Sequence, residues 1–155
     1  KLSKKNKANE KALLAMLSEK YFSLPAPKST GFETFNLKWI NKFIKKFNIK
    51  NKNTLIATIT ELSIISISDA INSNNLDSSD IFFSGGGSRN TFVKNSILKR
   101  TGLNEVKSLP FDINYKNLES ASFAWLAMKR NAGEVIKKSY ITGANRSRKL
   151  GIIYR

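Results

Sequence analysis

The clearest indication of fold class lies in the segment Asp80-Ile81-Phe82-Phe83-Ser84-Gly85-Gly86-Gly87-Ser88-Arg89-Asn90. Its apolar start predicts a short strand, and its three glycines predict a tight turn. Helical spacing resumes over residues 88–100, and a second short strand is predicted around residues 106–109. A strand, a helix and another strand in this order indicate an α/β fold with a parallel connection.

Amphipathic helices dominate the rest of the chain. Apolar side chains recur every three or four residues over residues 8–20, from Thr34 to Phe47, from Asn53 to Asn72 and from Asn117 to Asn131. Pro25 and Pro27 predict an extended loop between the first two of these helices. A final apolar stretch covers residues 150–154.

This pattern predicts a single, helix-rich α/β domain over residues 1–155 with a small parallel sheet. Two short strands leave the edges of a sheet with unpaired backbone groups, which natural domains usually pair or cover. Further strands are therefore expected upstream of Lys1 or on a partner chain.

Composition removes several classes of site. The chain has no cysteine and no histidine, which excludes disulfides, thiol nucleophiles, histidine-based triads and the usual zinc sites. No apolar run is expected to span a bilayer, which takes about 20 residues, and no signal-type segment follows Lys1. The sequence therefore predicts a cytoplasmic protein without membrane contact and without a metal site of its own.

The net charge of +16 raises the question of nucleic-acid binding. Residues 1–52 carry 13 basic and 3 acidic side chains, and the remaining residues carry 14 and 8. The excess is mostly lysine, 21 against 6 arginines, and it accompanies many asparagines and isoleucines. That joint enrichment is typical of compositional drift on a solvated surface, so the sequence disfavours nucleic acid as a partner.

Several residues are candidates for chemistry. Gly85, Gly86 and Gly87 before a helix could let a nucleotide approach the backbone, although a tight turn explains them equally well. Arg89 and Asn90 fit either ligand contacts or helix capping. The segment Lys28-Ser29-Thr30-Gly31 is similar to a fragment of a phosphate loop, with a conformational role as the alternative. Asp112, Glu119 and Glu61 are the candidate carboxylates, and Glu61 also fits a paired structural acid.

In order and spacing, these segments resemble the anhydro-N-acetylmuramic acid kinase family over nearly the whole chain. The residues that carry the resemblance are Tyr21-Phe22-Ser23-Leu24-Pro25-Ala26-Pro27-Lys28-Ser29-Thr30-Gly31-Phe32-Glu33 with Phe35-Asn36 and Trp39, the helix at Ala57–Leu62, Ser84–Asn90, Glu119–Ala127, Thr142-Gly143-Ala144 and Leu150–Tyr154. The segment Ser84–Asn90 is similar to the family's adenosine loop.

The resemblance implies most of the C-terminal domain of an actin-like, sugar-kinase ATPase with a ribonuclease H-like fold. It implies ATP and Mg²⁺ as cofactors, and an anhydro-sugar as the substrate that is hydrolysed and phosphorylated on O6. It further implies adenosine contacts at Gly85, Gly86, Gly87, Arg89 and Asn90. Glu119 would position the sugar or the attacking water. Substrate or loop contacts would come from Lys28, Ser29, Thr30 and Glu33.

Two departures from the family pattern qualify these expectations. Phe32 stands where the family usually has arginine, and the family's two phosphate loops, one with its general-base aspartate, have no match in the chain. We therefore expect a truncated or split kinase portion that is inactive alone and needs the N-terminal half on another chain, with a homodimer as a further partnership. The alternatives are a non-catalytic basic interaction module and a degraded remnant.

Overall fold

The computed structural model describes residues 6–74, 80–110, 113–114, 116–137 and 145–154, and these divide between two compact units. Unit 1 comprises Lys1–Ser79 with Asn90–Leu103, and unit 2 comprises Asp80–Arg89 with Asn104–Arg155. The elements in chain order are α1 (Glu10–Leu17), α2 (Lys20–Ser23), α3 (Leu37–Lys46), α4 (Lys52–Asn72), β1 (Asp80–Phe82), a 3-10 helix (Gly86–Arg89), α5 (Thr91–Thr101), β2 (Asn104–Val106) and α6 (Leu118–Asn131).

The core of unit 1 forms where α1, α3 and α4 bring their apolar faces together. Leu13, Met16, Phe43 and Leu62 make a buried cluster. Next to it runs an aromatic ladder, defined as Tyr21, Phe22, Phe35, Trp39, Phe43 and Phe47, whose neighbouring rings lie 4.8–6.4 Å apart. The predicted four-residue spacing aligns Trp39 and Phe43 on one face of α3, with Phe35 just before the helix and Phe47 at its C-cap, and α2 adds Tyr21 and Phe22.

The long helix α4 is rich in β-branched residues and is held by packing on two sides, against α1 and α5. Its buried Thr58 ties it to α1, since the hydroxyl accepts a bond from the Asn9 N–H (2.9 Å) and donates to the Thr54 carbonyl (2.7 Å). Among the described residues, α4 alone is long and apolar enough to cross a membrane by composition, with a mean hydropathy of 1.5. The expectation that no stretch reaches this length and hydropathy was therefore wrong, because the serines and threonines of α4 interrupt its apolar residues without lowering the mean hydropathy enough. About 28% of the window is buried, including Ala57, Leu62 and Ile64, and α4 packs against α1 and α5.

Unit 2 contains the predicted parallel pair. β1 and β2 align Asp80 with Asn104, Ile81 with Glu105 and Phe82 with Val106. Two isolated antiparallel bridges, Leu109 with Ile113 and Ile136 with Arg148, add the remaining strand-like pairing among the described residues. The helix-rich α/β class and the small parallel sheet are therefore confirmed.

Several element boundaries differ from the sequence-based expectation. α4 begins at Lys52, earlier than expected, because Asn51 caps it, and α5 begins at Thr91, later than expected, because Asn90 caps it. The helix over residues 8–20 is two helices, because Ser18 ends α1 and Glu19 is extended. α3 begins at Leu37, since the Asn36 side chain accepts from the Trp39 N–H and so caps the helix there. The second strand ends at Val106, earlier than predicted, because Gly102 in the left-handed region stops α5 and pairing starts at Asn104.

Candidate functional site

The glycine loop of unit 2, defined as Gly85–Arg89, follows β1 after two connecting residues. Gly85 has φ +76°, a conformation that side chains with a Cβ rarely adopt. Ser88 closes the turn, because both its backbone N–H (3.2 Å) and its hydroxyl (2.7 Å) donate to the Gly85 carbonyl. The turn is thus fixed by local bonds and does not depend on a ligand.

Neither packing nor the backbone angle φ requires glycine at positions 86 and 87. Both are exposed, neither has a positive φ, and a Cβ built on either would meet no described atom within 4 Å. The space above their backbone is open, so a planar or anionic group could approach it closely. Tight-turn geometry therefore accounts for Gly85, while the backbone of Gly86 and Gly87 is open to solvent and its nucleotide contact stays a prediction.

Arg89 and Asn90 end the glycine loop and begin α5. Arg89 is exposed at the end of the 3-10 helix. The Asn90 side chain accepts from the Val93 N–H at 3.3 Å, which makes it the N-cap of α5. Of the two roles weighed for Asn90, capping is thus observed, and its adenosine contact stays a prediction.

In unit 1, the Lys28 ammonium bonds to nearby backbone carbonyls. It donates to the Tyr21 (3.3 Å) and Phe22 (3.1 Å) carbonyls at the end of α2, and it lies 5.0 Å from the centre of the Tyr21 ring. These bonds hold the loop that carries Pro25 and Pro27 against the helix. These contacts fit the alternative that the loop at Lys28 has a conformational role, and a contact of Lys28 with substrate stays a prediction.

The residues that follow Lys28 are more open. Ser29, Thr30 and Glu33 are exposed. The Glu33 carboxylate folds over Gly31, where an added Cβ would lie 2.6 Å from Oε2. Phe32, where the resemblance leads us to expect arginine, is 80% exposed. This loop presents hydroxyl and carboxylate groups, while its one apolar side chain points to solvent.

The candidate carboxylates have different surroundings. Glu119 lies in the first turn of α6 and is exposed. Glu61 lies 4.0 Å from the Arg100 guanidinium, which fits the paired structural acid that its sequence context favoured. Asp112 lies outside the described residues, as does the family-like segment 142–144. Among the described residues, no three acidic side chains lie close enough together to hold a metal ion.

Two shallow depressions along α5 were not foreseen from sequence. One, of about 280 Å³, is lined by Thr91, Phe92, Asn95, Ser96 and Lys99. The other, of about 300 Å³, is lined by Glu61, Ile64, Ser96, Lys99 and Arg100. The polar spacing of Thr91, Asn95 and Lys99, four residues apart, could have indicated this face. Both depressions are open to solvent and neither encloses a ligand.

Comparison with known proteins gives a consistent result. The family model described as anhydro-N-acetylmuramic acid kinase matches residues 1–155. Proteins named anhydro-N-acetylmuramic acid kinase from Pasteurella multocida and Haemophilus influenzae are each 35% identical to this chain, and the protein of that name from Sulfurimonas denitrificans is 32% identical. These matches cover 97–98% of this chain but only 41–43% of each relative. The chain thus spans about two fifths of their length.

Proposed function

Because this chain belongs to the anhydro-N-acetylmuramic acid kinase family, we propose that it is the adenosine-binding portion of a cytoplasmic kinase for peptidoglycan recycling. The complete reaction would convert anhydro-N-acetylmuramic acid, ATP and water into N-acetylmuramic acid 6-phosphate and ADP. Water adds to C1 as the C1–O6 bond breaks, O6 takes the γ-phosphoryl group, and one proton is released. The match over all 155 residues carries this proposal.

The glycine loop is the part of this chain that we assign to the nucleotide. The exposed backbone at Gly86 and Gly87 is open to close approach, and Gly85 sets the turn that presents it. The exposed guanidinium of Arg89 is free to meet a phosphate, a contact that its planar donors suit. Asn90 directly follows the loop in the chain and caps the first turn of α5.

Glu119 is the residue that we assign to the sugar or to the attacking water. It is exposed on a regular helix, which can hold a carboxylate in a defined position more firmly than a loop. Ser29, Thr30 and Glu33 offer further polar contacts on a loop that Lys28 fastens. We assign these groups to binding and orienting the sugar or the attacking water. We assign none of them as the base that accepts the proton from the water.

Phosphoryl transfer requires more than these residues provide. Mg²⁺ and donors around the γ-phosphate stabilise the charge that develops in this reaction. The described residues offer no acidic cluster for Mg²⁺, and the family's two phosphate loops have no counterpart in the chain. We therefore propose that activity depends on the part of the family kinase that this chain does not span, and we assign no step through the metal.

Complementation tests this function. The chain is co-expressed with the portion of the Pasteurella multocida kinase that it does not match, and the purified mixture receives ATP and anhydro-N-acetylmuramic acid. We expect N-acetylmuramic acid 6-phosphate by mass spectrometry from the mixture and none from either part alone. Glu119→Gln in the mixture is expected to lower turnover at least tenfold, because it removes the charge that would orient the sugar or water. A stable complex that makes no product would contradict the proposal.

A further inference from the structure

The helix α6 exposes an apolar stripe, defined as Phe123, Ala124, Ala127 and Met128. Phe123 is 66% exposed and Met128 is 57% exposed. All fourteen residues of α6 are described, and none is fully buried. Because positions three and four apart share one side of a helix, these four residues form one continuous strip.

The stripe is distinct from the face that α6 already uses within unit 2. Leu118, Ala121, Leu126 and Lys129 are half-buried on the other side of the helix. Lys129 bonds to Glu134 at 2.7 Å and lies 5.6 Å from the centre of the Trp125 ring. One face of α6 thus has partners in the chain, and the stripe lies outside them.

An exposed strip of this kind is typical of a helix face that another protein segment covers. A large aromatic and a methionine in water lose the stabilisation that burial gives, and contiguous exposed apolar patches usually mark interaction surfaces. Ala124 and Ala127 between them keep the surface low, so a partner backbone could approach the helix closely. The amphipathic pattern favours a helix or strand laid along it.

We infer that the portion of the family kinase that this chain does not span packs on the apolar stripe of α6. This inference rests on the proposed function. The matched region is 41–43% of the relatives, so more than half of each relative remains available to cover it. A second copy of this chain fits less well, because each copy carries a net charge of +16 and two copies would repel.

The position of Glu119 adds to the case. Glu119 precedes Phe123 by one helical turn, so it lies at the N-terminal end of the stripe. A segment that covers the stripe would end beside this carboxylate and shield it from water. The segment that covers the stripe would thus also complete the surroundings of Glu119, the acid that we assign to the sugar or the attacking water.

The test uses a charged substitution on the stripe and a matched one elsewhere. Met128→Glu places a carboxylate in the proposed contact, and Leu14→Glu does the same at a 68% exposed apolar position of α1 in unit 1. Each variant is co-expressed with the unmatched portion of the Pasteurella multocida kinase. The complex is immobilised through that portion, and the dissociation rate of the chain is measured. We expect Met128→Glu to raise this rate about tenfold to a hundredfold and Leu14→Glu to leave it within about twofold.

Other outcomes separate this inference from the proposed function. If both variants dissociate at equal rates from a complex that makes product, the inference that the partner packs on the stripe is overturned, and the proposed kinase function is not. A complex that Met128→Glu weakens but that makes no product would support the stripe and overturn the function. Absence of a complex, or dimers of the chain alone that Met128→Glu dissolves in sedimentation, would overturn the inference.

Discussion

Most of the aromatic ladder in unit 1 packs against a core, whereas the aromatic side chains of α6 in unit 2, like Phe32 in unit 1, are exposed. In unit 1, Trp39 and Phe43 of the aromatic ladder lie in α3. Phe43 is 2% exposed and belongs to the core cluster. In unit 2 Phe123 and Trp125 of α6 are exposed, and the glycine loop is open to solvent. The first unit has a core built from its own residues, whereas none of the described side chains of the second unit is fully buried. The fully buried described side chains thus lie in unit 1, while the glycine loop and Glu119 lie in unit 2 and the further candidates Ser29, Thr30 and Glu33 lie in unit 1.

The largest expected effect separates the two kinds of aromatic residue. Phe43→Ala should lower the free energy of unfolding of unit 1 by about 3–5 kcal/mol, because it leaves a cavity among packed side chains. Phe123→Ala should cost less than about 0.5 kcal/mol, since the ring is mostly in water. Urea denaturation measures both, with Trp39 fluorescence in a Trp125→Phe background reporting on unit 1 and Trp125 in a Trp39→Phe background on unit 2. Equal losses for the two variants would remove the contrast.

A buried hydroxyl gives the next effect. Thr58→Val should cost about 1–3 kcal/mol, because the Asn9 N–H at the start of α1 loses its acceptor. Thr60→Val is the matched control, since its hydroxyl only donates to the Ile56 carbonyl within the same helix. The control should change stability by less than about 0.5 kcal/mol. If both variants unfold at the same urea concentration, the link between α1 and α4 does not stabilise unit 1.

The glycine loop should separate stability from nucleotide binding. Gly85→Ala should destabilise unit 2 by about 1 kcal/mol because of its positive φ, while Gly86→Ala should leave stability unchanged or slightly raised. In the complex with the unmatched kinase portion, Gly86→Ala should nevertheless weaken ATP binding about tenfold, since the methyl occupies the space proposed for the nucleotide. Unaltered ATP affinity would favour the tight-turn explanation of the triplet.

The smallest effect tests a surface ion pair in unit 1. Lys42 and Glu19 lie 2.7 Å apart, with side chains 59% and 33% exposed. Glu19→Gln should cost less than about 0.5 kcal/mol, and the difference should vanish in about 1 M salt. Asp69→Asn, at an exposed position of α4, serves as the control for removing one negative charge. A loss of unfolding free energy as large as that of Thr58→Val would mean that this surface ion pair stabilises unit 1 as much as the buried hydrogen bond does.

Much of the fold was predictable, because its periodic patterns are strong. The four-residue spacing of aromatics in α3 and the apolar run of α4 fix which faces are buried, and β1 with its glycines fixes the turn. Boundaries were less predictable, since side-chain bonds such as the Asn36 cap decide them. A contact between residues 49 positions apart, as between Asn9 and Thr58, has no local signature.

The candidate site is predicted from sequence only as a set of segments, and the roles of their residues stay predictions. The resemblance identified the glycine loop and Glu119 in unit 2, and the loop at Lys28 in unit 1. It could not reveal that backbone carbonyls engage the Lys28 ammonium, because that depends on where α2 ends. The description of residues 1–155 as one domain stays a prediction.

Calorimetry with ATP tests the central claim most directly. The chain alone and the chain co-purified with the unmatched portion of the Pasteurella multocida kinase are each titrated with ATP and Mg²⁺. We predict saturable binding by the complex and none by the chain alone, because the adenosine contacts that we propose at Gly85–Gly87 would lack the phosphate-binding half of the site. Absence of binding by a stable complex, or equally tight binding by the chain alone, would contradict the account.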